Sequence, residues 1–197
     1  MTTQREARST EGRGGRGARQ RILTSAAELF YREGINATGV ERLASEASVS
    51  KRTLYQHFPS KAAIVEEYLR SIRERVGDPI RPGPDAADHT PRERILALFH
   101  APPTGGQMRG CPFHNAAVEA AEIMPEISDL VHEHKRAYIK GLIALARQAG
   151  AANPTLLGNQ LGLLFEGAAA LSTSLNDPAP WTHARKAAAT LIDQAVG

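Results

Sequence analysis

From Arg19 the residues Ile22, Ala26, Leu29 and Phe30 recur at helical spacing until Gly34, which stands where a terminating glycine would end the element. Thr38-Gly39-Val40-Glu41 has the Thr-x-x-Glu form of a capping box, and Val40, Leu43, Ala44 and Ala47 give the short helix behind it one apolar face. Ser50 is placed to cap a third helix, Lys51 to His57, with Leu54 and Phe58 facing inward until Pro59 stops it. Ser60 then caps a fourth, whose apolar positions Ile64, Val65, Tyr68, Leu69, Ile72 and Val76 end before Gly77.

Breakers dominate Gly77 to Pro91, so a connection between two modules is expected there. A short helix, Arg92 to His100, precedes a second breaker segment, Pro102 to Gly106. Four more helices follow: 112–124 with Pro112 at its first position, Pro125 to Gly150, Pro154 to Leu175, and Trp181 to Val196. The Pro125 helix carries Ile127, Leu130, Val131, His134, Tyr138, Leu142 and Leu145 on one face. No segment alternates with period two, so the expected fold is all-α.

The expected organisation is a flexible basic arm over 1–18, a helix-turn-helix domain with its connecting helix over 19–76, and a helical domain over 77–197. The arm is rich in Arg, Gly, Ser and Thr and has almost nothing apolar to offset the entropy of ordering. Charge follows the same division. Residues 1–61 carry eleven Lys or Arg against six Glu, whereas the rest carries thirteen basic against fifteen acidic groups, which points to a polyanion partner for the first third.

The single cysteine, Cys111, has no partner for an internal disulfide, and the start of the chain lacks the apolar core of a secretion signal. A cytoplasmic protein is the simplest expectation. The apolar run Leu161 to Leu175 is interrupted by Glu166 and falls short of the ~20 residues a membrane span needs, so no membrane partner is expected.

Two short helices joined by a tight turn, the second polar outside and the pair preceded by a basic arm, form the pattern of a helix-turn-helix DNA reader. Lys51, Arg52 and Gln56 have side chains able to reach base edges; Thr53, Tyr55, His57 and Lys61 suit phosphates. Tyr55 as a core residue and His57 as a helix-end cap are the bland alternatives. Glu41 is read as structural.

Residues 21–65 resemble the DNA-binding domain of TetR-family repressors. The resemblance is carried in order by Ala26-Ala27 with Phe30, Gly34, Thr38, Leu43-Ala44, Val49-Ser50, Leu54-Tyr55, His57-Phe58 and Ser60-Lys61. It implies a homodimer whose third helix reads a palindromic operator, and a divergent helical domain that both dimerises and binds a small molecule, releasing the DNA. It also implies that Thr38, Thr53, Tyr55, His57 and Lys61 contact the phosphate backbone, while Lys51, Arg52 and Gln56 stand where base readers vary. Two positions depart from the pattern. Ser48 replaces the usual turn Gly and has to adopt a left-handed conformation, and Arg52 replaces a frequent Gly.

In the second domain the run 161–175 is apolar nearly all round and must be covered on more than one side. The small residues Gly167 to Ala170 permit close helix approach. The last helix adds Ala184, Ala187, Ala188, Leu191, Ile192 and Val196, so two copies of this pair would close a four-helix dimer interface. Candidate effector-pocket residues are Phe99, Met108, Cys111, Phe113, His114, His134, Tyr138, Phe165 and Glu166, with His100 and Met124 beside them. Core packing is the alternative for each.

His132 and His134 point to different sides of a helix and no paired-Cys or His-x-x-x-His spacing occurs, so no metal or cofactor is expected. No nucleophile and base pair or phosphate loop marks an enzyme. The leading expectation is a ligand-responsive transcriptional repressor with double-stranded DNA and an unknown small molecule as partners. An effector-independent DNA-organising protein is the alternative.

Overall fold

A computed structural model describes residues 11–76, 89–101, 108–120 and 123–197. The described elements are α-helices: α1 Glu11–Arg32, α2 Val40–Glu46, α3 Lys51–His57, α4 Lys61–Val76, α5 Pro91–Ala97, α6 Pro112–Ala120, α7 Pro125–Gln148, α8 Pro154–Leu175 and α9 Ala179–Val196. The fold is all-α, as the periodicity predicts. Arm residues 1–10, the breaker run 77–88 and residues 102–107 lie outside the described residues.

The chain forms two compact units: residues 1–72 with 116–128, and residues 73–115 with 129–197. The expected division at Gly77 assigns the whole of 116–128 to the second module. Instead this segment groups with the first, where the Asn36 amide N–H donates to the Glu119 carboxylate at 3.2 Å, and Asn36 Nδ2 donates to the Glu119 carbonyl at 2.6 Å. Pro112 still opens α6, which is described to Ala120; residues 121 and 122 lie outside the described residues, and Met124, the expected last residue of this helix, is not helical.

In the first unit, Ile22, Leu29, Phe30, Leu43, Leu54 and Ile64 are buried, and Phe30 meets Tyr68 edge-on at 5.6 Å between ring centres. Residues 11–18, expected as part of the arm, belong to α1. Ala18 is buried, and Arg19 lies 5.2 Å over the Phe58 ring while pairing with Glu67 at 2.7 Å. Once those turns are anchored, each residue added toward the N-terminus brings one hydrogen bond for the dihedrals it fixes.

The Thr38 capping box does not form. Gly39 is the N-cap of α2 and has no side chain to offer, while the buried Thr38 hydroxyl donates to the Gly34 carbonyl at 2.7 Å. A buried hydroxyl beside a free carbonyl satisfies both groups at once, and that pairing prevails over the cap. Ser48 adopts φ +52°, the left-handed turn expected of it, and Val49 N–H donates to the Ala44 carbonyl at 2.9 Å to close the turn into α3.

The second unit buries Ile95, Phe99, Leu142, Leu145, Leu161 and Trp181. α5 begins at Pro91 behind a full Thr90/Glu93 capping box and ends at Ala97, where the tighter bonds from Leu98 to Ile95 and from Phe99 to Leu96 take over; the expected element ran to His100. α7 ends as expected ahead of Gly150, which takes φ +86°. α8 has its expected bounds. α9 starts two residues before Trp181, with Ala179 N–H donating to Asp177 Oδ1 at 2.8 Å.

The close approach on α8 uses Gly158 and Gly162, packed on Ile143 and Ile139 of α7; a Cβ on Gly158 would stand 2.8 Å from the Ile143 Cα. Gly167, by contrast, faces open space.

Candidate nucleic-acid interface and effector cluster

Ser50 sets the start of α3. Its Oγ accepts from Thr53 N–H at 3.0 Å and lies 2.8 Å from Thr53 Oγ1, so the first turn is fixed before any ligand arrives. Leu54 is fully buried and anchors the inner face. One turn either way on the outer face, Lys51, Arg52, Tyr55 and Gln56 are exposed, Tyr55 by 42%. Thr53 and His57 are half-buried, as is Lys61 on the first turn of α4.

Electrostatics distinguish these side chains. Lys51 donates to Glu41 across the α2–α3 turn, and this bond holds the Glu41 carboxyl below its ordinary value and the Lys51 ammonium above its own. Arg52 has no ion-pair partner among the described residues. Burial pulls the Lys61 ammonium down, opposed by the Glu119 carboxylate. Thr38 stands apart from this surface: it is buried and its hydroxyl is committed to Gly34, so its side chain is not offered to a phosphate. Glu41, read from sequence as structural, is the unforeseen member of the surface.

The effector candidates divide. Phe165 is the centre of an aromatic group, at 6.2 Å from Phe99, 5.2 Å from Tyr138 and 5.2 Å from Trp181 between ring centres. Beside it, Lys135 donates to Glu166 at 2.5 Å and to the Cys111 sulfur at 3.5 Å. Phe113 stacks on His134 at 3.6 Å. Met108 packs at the edge of the same core, its N–H donating to Asn176 Oδ1 at 3.1 Å.

His114 is exposed, and His100 is exposed and bonded to Arg185 at 3.1 Å, so neither joins the aromatic group. Met124 belongs to the first unit. Two members escaped the sequence: Lys135, which reads as a solvated helix residue, and Trp181, which reads as the start of a helix.

A groove of about 620 Å³ runs along α8 and α9, lined by Leu163, Gly167, Leu171, Leu175, Ala187 and Leu191 among others. Leu163 is 75% exposed and Leu175 63%. Among the described residues no helix is long and apolar enough to cross a membrane, and no three His, Cys, Asp or Glu side chains are grouped as a metal would require.

The sequence profile of bacterial regulatory proteins of the tetR family matches residues 22–68. The KstR2 transcriptional repressor of Rhodococcus jostii is 41% identical over 63 residues, 32% of this chain and 30% of that protein, so the chain matches under a third of that relative's length. The LmrA regulator of Bacillus subtilis is 23% identical over 175 residues, 84% of this chain and 92% of that one. Among solved structures, a TetR transcriptional regulator of Streptomyces avermitilis is 31% identical, with 90% of this chain and 97% of that chain covered and a TM-score of 0.74. The SCO4454 regulator of Streptomyces coelicolor superposes with a TM-score of 0.77 at 25% identity, covering 92% and 97%. With the turn, the cap and the exposed face of α3 in place and near full-length similarity at this level, the chain belongs to the TetR family of transcriptional regulators.

Proposed function

We propose that this protein is a repressor that binds a palindromic DNA operator as a homodimer and lets go when a small molecule occupies the aromatic region of its second unit. The observation that carries the reading is the exposed outer face of α3 opposite a fully buried Leu54. Arg52 has the forked donor that pairs with guanine O6 and N7, and Gln56 the amide that pairs with adenine. Lys51 is available to DNA only by exchanging Glu41 for a base or phosphate. Thr53, Tyr55, His57 and Lys61 flank them as phosphate contacts. Thr38 supports this surface by fixing the backbone ahead of α2.

Dimerisation is supported by the uncovered apolar groove on α8 and α9, which two copies would close into a four-helix arrangement. Selection from a random duplex pool, followed by anisotropy titration at several salt concentrations, tests the reading. Enrichment of a two-fold symmetric sequence bound far more tightly than shuffled DNA is the expected result. Equal affinity for every duplex removes the repressor and leaves an organising protein.

A further inference from the structure

We infer that Tyr138, Lys135 and Glu166 form a binding site for a neutral, flat, largely apolar molecule held through one acceptor oxygen, a ligand class for the effector reading above, on which the inference rests. Tyr138 is 9% exposed, and its hydroxyl is buried without a hydrogen-bond partner among the described residues. Buried polar atoms are nearly always paired, so a lone phenol at the edge of an aromatic group marks a place that something else completes. Burial, reinforced by the Glu166 carboxylate and the Cys111 thiol, raises the phenol above its ordinary value, so through the neutral range it is a donor and needs an acceptor.

The charges beside it choose against ions. Lys135 and Glu166 are both half-buried and already satisfy each other at 2.5 Å, so a carboxylate ligand would confront Glu166 and a cation would confront Lys135. A neutral molecule leaves the pair intact. Phe165, half-buried and ringed by Phe99, Tyr138 and Trp181 at 5.2 to 6.2 Å, supplies a surface for a flat apolar body.

Calorimetric titration of the full chain with 2-acetylnaphthalene, 2-ethylnaphthalene and 2-naphthoate separates these requirements, and Trp181, the only tryptophan, reports locally through its emission. The ketone is expected to bind at least tenfold more tightly than either of the others while quenching Trp181. Tyr138→Phe is expected to bring the ketone down to the level of 2-ethylnaphthalene, and Glu166→Gln to improve naphthoate at least fivefold by freeing Lys135. An unbound ketone, equal binding of naphthoate by the native chain, or a Tyr138→Phe chain that keeps the ketone preference overturns the inference. If Tyr138→Phe loses both neutral ligands, Glu166→Gln decides, and an unchanged naphthoate affinity overturns it. Adding the same ligands to the complex with the selected duplex tells the two readings apart. Ketone binding without DNA release removes only the effector reading, and DNA release by other compounds with the ketone unbound removes only this site.

Discussion

Asn36 and Glu119, 83 positions apart, hold each other twice: the Asn36 amide N–H meets the Glu119 carboxylate at 3.2 Å, and Asn36 Nδ2 meets the Glu119 carbonyl at 2.6 Å. The same carboxylate fits over Gly34, where φ is +102° and an added Cβ would stand 2.8 Å from Oε2. The turn between α1 and α2 is thus shaped by a segment from the far side of the breaker-rich connection. That turn leads through Thr38 directly into the N-cap Gly39, so its geometry bears on where α2 begins.

Asn36→Ala removes the shorter bond and leaves the Glu119 carboxylate contact intact. It is expected to weaken binding to the selected duplex several-fold and to speed hydrogen exchange across residues 116–128, as the loss of a bond worth about 1 kcal/mol implies. Gly34→Ala is expected to destabilise more, because it adds backbone strain to the clash; in a Glu119→Ala background only the strain remains. A double-mutant cycle by thermal unfolding checks this. Additive costs would show that the carboxylate does not shape the turn.

Lys51 is the cation of α3 that is already engaged, by Glu41. On the proposed reading DNA has to displace a carboxylate, and that carboxylate also repels phosphates. Glu41→Gln removes both effects and is expected to tighten duplex binding several-fold while steepening the slope of log affinity against log salt by up to about one ion. Anisotropy titrations at four salt concentrations measure both quantities. Weaker binding would mean that Glu41 positions Lys51 for its target rather than competing for it.

How legible this was depends on the range of the interactions. Ser50, Ser60 and Pro154 act on backbone within one turn of themselves, and the starts of α3, α4 and α8 lie where those residues place them. Ser48 was legible because it stands where the resembled family usually carries a turn glycine, and it takes the left-handed conformation that such a position requires. Thr38 misled because two acceptable partners compete for one hydroxyl, and burial against Gly34, a tertiary outcome, decides between them. Glu119 and Lys135 carry no local signature: a charged residue on a helix reads as solvated until the element that faces it is known. The grouping of Phe99, Tyr138 and Phe165 followed from apolar spacing, whereas its open phenol did not.

Arg92 and Asp193 link α5 to α9 through two parallel bonds of 2.8 and 3.0 Å. The hydrogen bond from Arg92 lowers the Asp193 carboxyl below its ordinary value. A carboxylate lowered in the folded state contributes stability above its unfolded value and loses that contribution as pH falls through the folded one. Asp193→Asn is therefore expected to lower the unfolding midpoint by about 1–2 °C at pH 7, the modest effect of a solvent-exposed pair, and to have no effect near pH 2. Calorimetric scans of both chains at the two pH values test the sign. An equal loss at low pH would show that packing rather than charge is responsible.

Leu163 is the most exposed of the large apolar residues on α8, at 75%, and Leu171 continues the same strip beside the open Gly167. If this strip faced water in the working protein, Leu163→Glu would be neutral or would improve solubility. In a two-fold interface every residue occurs twice, so the same substitution introduces two like charges into an apolar contact with nothing to pair them. The expected outcome is a monomer of unchanged helical content, measured by light scattering on a sizing column and by circular dichroism. Because two half-sites held in one dimer raise each other's effective concentration, operator affinity should fall at least a hundredfold while the weak affinity for a single half-site stays the same. A Leu163→Glu chain that remains dimeric would place the interface elsewhere on the molecule.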